Sequence, residues 1–195
     1  DLLKMALPAK FWTETVNEKS GKKEITISAV RLYYFLQLNG FRTLRDINAA
    51  NTRYIQVTNN VVKQIKAKDV RRFVREWSEE RCLNENVRNL IVNSMKFSET
   101  SLENLKEVEL DFSNFTHNTQ LFFFPNNNVE VTPKEIIVHQ RGDTAFNHYV
   151  WEENVLKHNF KPLPDMFKLT CLDKENNLYD IDVLDCKSSP IFGYV

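Results

Sequence analysis

The stretch Val61-Val62-Lys63-Gln64-Ile65-Lys66-Ala67-Lys68-Asp69-Val70-Arg71-Arg72-Phe73-Val74-Arg75-Glu76-Trp77-Ser78-Glu79-Glu80-Arg81 decides the reading of this chain. It opens as a short strand and continues as a helix with two opposed stripes. Val70, Phe73, Val74 and Trp77 form one, and Lys68, Arg71, Arg72 and Arg75 form the other. Both follow the i, i+3, i+4, i+7 spacing of a helix that turns one side to a core and the other to water. At about 100° per residue their centres lie roughly 150° apart, and Lys63 and Lys66 carry the positive charge upstream. A cationic stripe on a rigid scaffold is an electrostatic footprint for phosphates, and a plain solvated face is the ordinary alternative. The i, i+4 pairs Arg72 to Glu76 and Arg75 to Glu79 offer that charge an internal partner.

Upstream, Phe11 and Trp12 open an aromatic segment, and Asn17 to Lys23 is a polar turn around Gly21. Lys23 to Ile27 follows as a strand. Ser28 is a good helix N-cap, and the apolar helix Val30 to Leu38 ends at Asn39-Gly40, residues suited to a left-handed exit. Arg53 to Val57 and Val61 to Lys66 flank Thr58-Asn59-Asn60, a hairpin signature because asparagine tolerates positive φ. Downstream, a second helix over Asn84 to Met95 carries Leu83, Val87, Leu90 and Ile91 on one face, and a short helix spans Ser101 to Leu105.

Beyond residue 106 the period changes from helical to alternating. Val108 to Phe112 alternates. Gln120 to Phe124 turns through Pro125-Asn126-Asn127-Asn128 into Val129 to Thr132 as a second hairpin. Ile136 to His139 is a further strand, and Tyr149 to Phe160 is amphipathic but of ambiguous type. Lys161 to Pro164 links to two alternating runs, Phe167 to Leu172 and Leu178 to Leu184, around the turn Asp173 to Asn177. The fold class is therefore α+β: a helix-rich N-terminal half with a β-hairpin and a strand-rich C-terminal half with antiparallel hairpins. Residues 1–106 form a basic helix and hairpin module and residues 107–195 an acidic β-rich module, the two being separate or joined in one compact domain.

The zero net charge hides a division. Residues 1 to 96 hold 18 Lys and Arg against 10 Asp and Glu, whereas residues 97 to 195 hold 8 against 16. Such asymmetry points to polyanion binding by one half, or to mutual neutralisation of the halves across an internal interface. No apolar run approaches the roughly 20 residues of a membrane span and no signal peptide is visible, so a cytoplasmic protein is expected. Cys82, Cys171 and Cys186 are an odd set without CxxC pairs, which argues against a disulfide framework or a zinc knuckle. The apolar run Pro190 to Val195 reads as the approach to further sequence, so a piece of a longer polypeptide is expected.

Catalytic motifs are scarce. Gly21, Gly40, Gly142 and Gly193 are isolated, so a phosphate-cradling loop of the Walker or dinucleotide type is absent from the sequence. His117, His139, His148 and His158 lack metal-ligand spacing with one another and with the cysteines, and no serine sits in a nucleophile elbow. Tyr179-Asp180-Ile181-Asp182-Val183 places two carboxylates on one strand face, a pattern that can hold Mg²⁺. It resembles the first metal motif of archaeo-eukaryotic primases, without the histidine and third acid those enzymes need further on. A half-exposed strand explains it equally well.

Several segments carry a family resemblance. Tyr34-Phe35-Leu36-Gln37-Leu38-Asn39-Gly40-Phe41, Tyr54-Ile55-Gln56-Val57-Thr58-Asn59-Asn60-Val61-Val62 and Asp69-Val70-Arg71-Arg72-Phe73-Val74 are similar to primase-helicase proteins of Bacteroides-type phages and mobile elements. So are Phe122-Phe123-Phe124, Asn128-Val129, Val131-Thr132 and Tyr149-Val150-Trp151. In that family this region precedes a superfamily three, poxvirus-like helicase ATPase, and Ser188-Ser189-Pro190-Ile191-Phe192 resembles the approach to it. The resemblance implies a non-enzymatic accessory module that binds or positions DNA for a neighbouring ATPase domain, with a homo-oligomer in the full-length protein. Lys63, Lys66, Lys68, Arg71, Arg72 and Arg75 would meet phosphates, and exposed rings near the hairpin, Tyr54 among them, would stack on bases. No metal or cofactor is expected. The alternatives are an interaction module docking onto neighbouring domains and, more weakly, a primase-like nucleotidyl transferase around Asp180 and Asp182. Lacking a glycine-rich phosphate loop, the isolated chain should show no ATP turnover with or without DNA. A phosphate-release assay on a clean preparation checks this, and DNA-stimulated release would contradict it.

Overall fold

Short alternating segments and tight turns build residues 10–158 around a five-stranded mixed sheet. The computed structural model describes residues 10–16, 18, 21–45, 53–162 and 167–184. Two compact units are present, Asp1–His158 and Asn159–Val195.

In the first unit, β1 (Trp12–Val16) and β2 (Lys23–Ile27) form an antiparallel hairpin. Ser28 then starts α1 (Ala29–Leu38), its carbonyl accepting the Leu32 amide. Gly40, at φ +83°, turns the chain into β3 (Phe41–Leu44). A Cβ at this glycine would lie 2.1 Å from the Val57 carbonyl oxygen, and the Gly40 carbonyl accepts the Val57 amide at 2.9 Å. Close backbone approach and left-handed φ therefore both require glycine here. Arg42 reinforces the same corner: its Nη1 donates to the carbonyls of Gln37 and Phe41, capping the end of α1.

β4 (Arg53–Thr58) and β5 (Val61–Gln64) form the hairpin expected from the sequence, with Asn59 and Asn60 at φ 49° and 68°. Helix α2 (Ala67–Glu80) follows, started by the Asp69 carboxylate, which accepts the Lys66 amide at 2.9 Å. Then come α3 (Glu85–Asn93), capped by the Asn84 side chain, a 3₁₀ turn at Met95–Phe97 and α4 (Glu99–Leu102). Strand β6 (Glu107–Val108) lies parallel to β3. The antiparallel trio β7 (Gln120–Phe123), β8 (Asn127–Val131) and β9 (Ile136–Gln140) precedes β10 (Val150–Trp151), which lies parallel to β5. The resulting five-stranded order is β10-β5-β4-β3-β6, assembled from both sides of residue 106.

This sheet separates two apolar layers. On one side Phe41 joins Leu32, Phe35 and Leu36 of α1, Val70, Val74 and Trp77 of α2, and Val87 and Ile91 of α3 in the main core, which Phe11 also enters. On the other, Leu44, Ile55 and Val62 are overlaid by Val108, Leu110, Phe112, Tyr149 and Trp151. A third cluster, Leu121, Phe123, Phe146 and Val150, holds the trio of strands. In the second unit β11 (Phe167–Asp173) and β12 (Leu178–Val183) form an antiparallel hairpin with Leu169, Tyr179, Ile181 and Val183 exposed.

The molecule is α+β, but its N-terminal half is not helix-rich with a single hairpin: five strands lie beside the helices among the described residues there. β1 escapes sequence reading because its Thr-Glu-Thr centre carries no apolar alternation. β3 escapes because three of its four residues are buried, which erases the period of two. Pairing over Val108–Phe112 stops at Val108; beyond it Asp111 makes only an isolated bridge to His148. The segment around Pro190 to Val195, Cys186 and part of the Lys161 to Pro164 link lie outside the described residues. Replacing Gly40 with Ala should destabilise the protein by roughly 2 kcal/mol or more, because strained φ and a backbone clash coincide. Urea unfolding followed by circular dichroism measures it, and an unchanged midpoint would contradict the tight corner.

Candidate nucleic-acid interface

Helix α2 is positioned by its apolar stripe. Val70 and Val74 are fully buried, and Trp77 packs edge-on against Phe35 with centroids 4.8 Å apart and against Phe11 at 5.7 Å. Phe73, half-buried, meets Phe41 at 5.0 Å. Each such side chain contributes about 1.5–3 kcal/mol on burial, several times the worth of any exposed ion pair on the same helix. The core therefore sets the roll of α2. Lys68, Arg71, Arg72 and Arg75 are turned to solvent in consequence.

These four cations line one groove of about 550 Å³ between α2 and the turn after α3, floored by Val92 and Phe97 and closed by Ser98. Arg71 reaches across it, its Nη2 donating to the Ser94 carbonyl at 3.3 Å. Asp69 is the one carboxylate in the lining. Arg72 bonds Asp69 at 3.1 Å rather than Glu76, because that carboxylate is already fixed one turn away at the helix start. Arg75 sits 3.7 Å from Glu79, both half-exposed, a pair worth at most about 0.5 kcal/mol. The side chains of Lys66 and Lys68 form no ion pair among the described residues. Lys63 stands apart on β5, where it bonds Glu152 at 3.0 Å. It is the one member of the stripe that meets an acid from beyond residue 97 among the described residues.

Tyr54 is placed differently from the basic residues. Its ring packs against the main core and its hydroxyl donates to the Glu99 carbonyl at 3.0 Å. Burial, with Glu103 and Glu99 nearby, raises this phenol above its ordinary value. The rings that line open space are instead Phe112, Phe122, Tyr149 and Trp151. As a shared surface they are invisible in the sequence because they come from separate short segments: Phe122 lies on β7 of the three-stranded sheet, Trp151 on β10 opposite Val62, and Phe112 and Tyr149 outside any strand. In the second unit, Asp180 and Asp182 share the face of β12 opposite Thr170 and Lys168. Among the described residues no third histidine, cysteine or acid joins them. No helix among those residues is long and apolar enough to cross a membrane.

No protein-family model, curated protein or solved structure matches the chain.

The Tyr54 hydroxyl gives a prediction with a defined sign. Its folded-state pKa is raised, so the bond stabilises fully below the unfolded value of about 10 and is lost as pH climbs through the folded one. Tyr54→Phe should therefore cost about 0.5–1.5 kcal/mol at pH 7, with the difference from the parent narrowing above about pH 10. Paired urea titrations at pH 7 and pH 11 test this, and a gap that widens in alkali would contradict it.

Proposed function

We propose that the chain is a non-enzymatic accessory module that binds DNA through the α2 groove and positions it for an adjacent helicase ATPase domain. The groove itself carries this reading. Four cations converge on one concavity, only one carboxylate shares it, and the apolar stripe of the helix is committed to the core. Phosphates would displace weak exposed partners such as Glu79, which costs little, and Arg71 is already braced against the far wall. Lys63, Lys66, Lys68, Arg71, Arg72 and Arg75 are the proposed phosphate contacts. The resemblance of the aromatic segments to primase-helicases of Bacteroides-type phages and mobile elements supports a role in DNA replication, with homo-oligomerisation proposed for the parent protein.

A docking module is the second reading. Two observations favour it: the Lys63–Glu152 pair joins the basic and acidic halves, and the β11–β12 hairpin leaves Leu169, Tyr179, Ile181 and Val183 exposed. A two-stranded hairpin is marginal by itself, so an uncovered apolar face suits a partner surface. The Lys63–Glu152 pair lies outside the lining of the α2 groove, which is why DNA is preferred.

Arg71→Glu with Arg75→Glu should weaken DNA binding without unfolding the chain, since the opposite side of α2 holds the core contacts. Each lost contact should lower the slope of log K against log salt by roughly 0.7 on single strands and 0.9 on duplex, with little dependence on base sequence. Fluorescence anisotropy with labelled oligonucleotides at several salt concentrations reads both quantities. An unchanged slope, or no binding by the parent chain at low salt, would transfer the assignment to docking.

A further inference from the structure

A second concavity of the first unit has a different chemistry. A cleft of about 270 Å³ between β10 and β7 is lined by Phe112, Tyr149 and Trp151 together with Asn114, Gln120 and Asn154, and no charged residue contributes to it. Phe112 and Trp151 stack face to face, centroids 4.8 Å apart and planes 6° from parallel. Gln120 Nε2 donates to the Asn114 carbonyl at 3.1 Å, which fixes that side chain and leaves its Oε1 as an acceptor. The carboxamides of Asn114 and Asn154 have no intramolecular partner among the described residues. Flat ring surface, donors and acceptors in one plane-sized space, and no charge describe a receptor for a neutral planar heterocycle. One neighbour narrows the class. Lys63 adjoins Val62, the register partner of Trp151, and bonds Glu152, the residue after it, so a cation of the proposed phosphate tract stands beside the cleft.

We propose that this cleft takes an unstacked nucleobase of single-stranded nucleic acid, resting on the Phe112–Trp151 pair with its edge against the Asn114 and Asn154 carboxamides. The inference extends the DNA reading from phosphates to bases, and it selects single strands, because a paired base cannot enter. It also differs in physical signature. Stacking releases no counterions, so it shifts affinity without altering the salt slope.

The experiment uses the whole chain and two probes. Trp12 and Trp77 are 8% and 7% exposed, whereas Trp151 is half-buried, so a collisional or stacked quencher reports mainly on Trp151. Adenosine, which carries no phosphate, should quench that fluorescence saturably, and maltose should not. With a labelled thymidine oligomer, Trp151→Leu should weaken binding about 5-fold or more at every salt concentration with the slope unchanged, and Trp151→Phe should stay within about threefold. Asn154→Ala, an exposed change, should weaken adenosine binding even if Trp151→Leu fails to fold. Saturable quenching without oligonucleotide binding would support the cleft while removing the phosphate groove. Absence of adenosine quenching, quenching by maltose instead, or a Trp151→Leu variant that folds and binds like the parent would overturn the inference.

Discussion

The burial of one side of α2 is the interaction on which the rest depends. Val70, Val74 and Trp77 enter a layer already occupied by Phe11, Phe35 and Phe41, and the ring contacts there lie between 4.8 and 6.3 Å. Aromatic packing at these distances tolerates little rotation of the helix about its axis. The cations are consequently fixed outward by forces that have nothing to do with charge. Their neighbours on the same helix, Glu76, Glu79 and Glu80, moderate the field without filling the groove, whose single lining acid is Asp69.

The sheet beneath connects this helix to the acidic half of the chain. β6 and β10 enter parallel at its two edges, both from beyond residue 106, while the antiparallel meander β3-β4-β5 forms the centre. Part of the charge asymmetry is thereby neutralised internally, at Lys63–Glu152 and at Arg45–Glu107 with 3.5 Å between the latter groups. Both pairs lie at sheet edges and involve exposed side chains, so they stabilise weakly and leave the α2 groove alone. The same edge strand, β10, supplies Trp151 to the aromatic cleft.

Legibility in the sequence followed the strength of local signals. α1, the β4–β5 hairpin, α2 and the β11–β12 hairpin were readable because the left-handed Gly40 exit, paired asparagines and long amphipathic periods act within a few residues, although the Ser28 side chain makes no capping bond to α1. What could not be read has two causes: β1 lacks apolar alternation and is defined only by its pairing with β2, whereas β6 and β10 acquire their identity from the sequence-distant β3 and β5. For the candidate site the split is the same. The cations of α2 lie on one helix and were found by spacing alone. The second wall of their groove, Val92 to Ser98, and the contact of Arg71 with the Ser94 carbonyl are tertiary facts. Tyr54 illustrates the converse, an aromatic next to a hairpin whose ring and hydroxyl are engaged by the core and by Glu99.

Hydrogen–deuterium exchange of the whole chain, with and without a single-stranded oligonucleotide at low salt, tests the central claim most directly. Protection should fall on the segment 66–75 and on the facing segment 92–98, because both walls of the groove would be covered together. Protection confined to the β11–β12 hairpin, or none anywhere at saturating oligonucleotide, would contradict the assignment of α2 as the nucleic-acid surface.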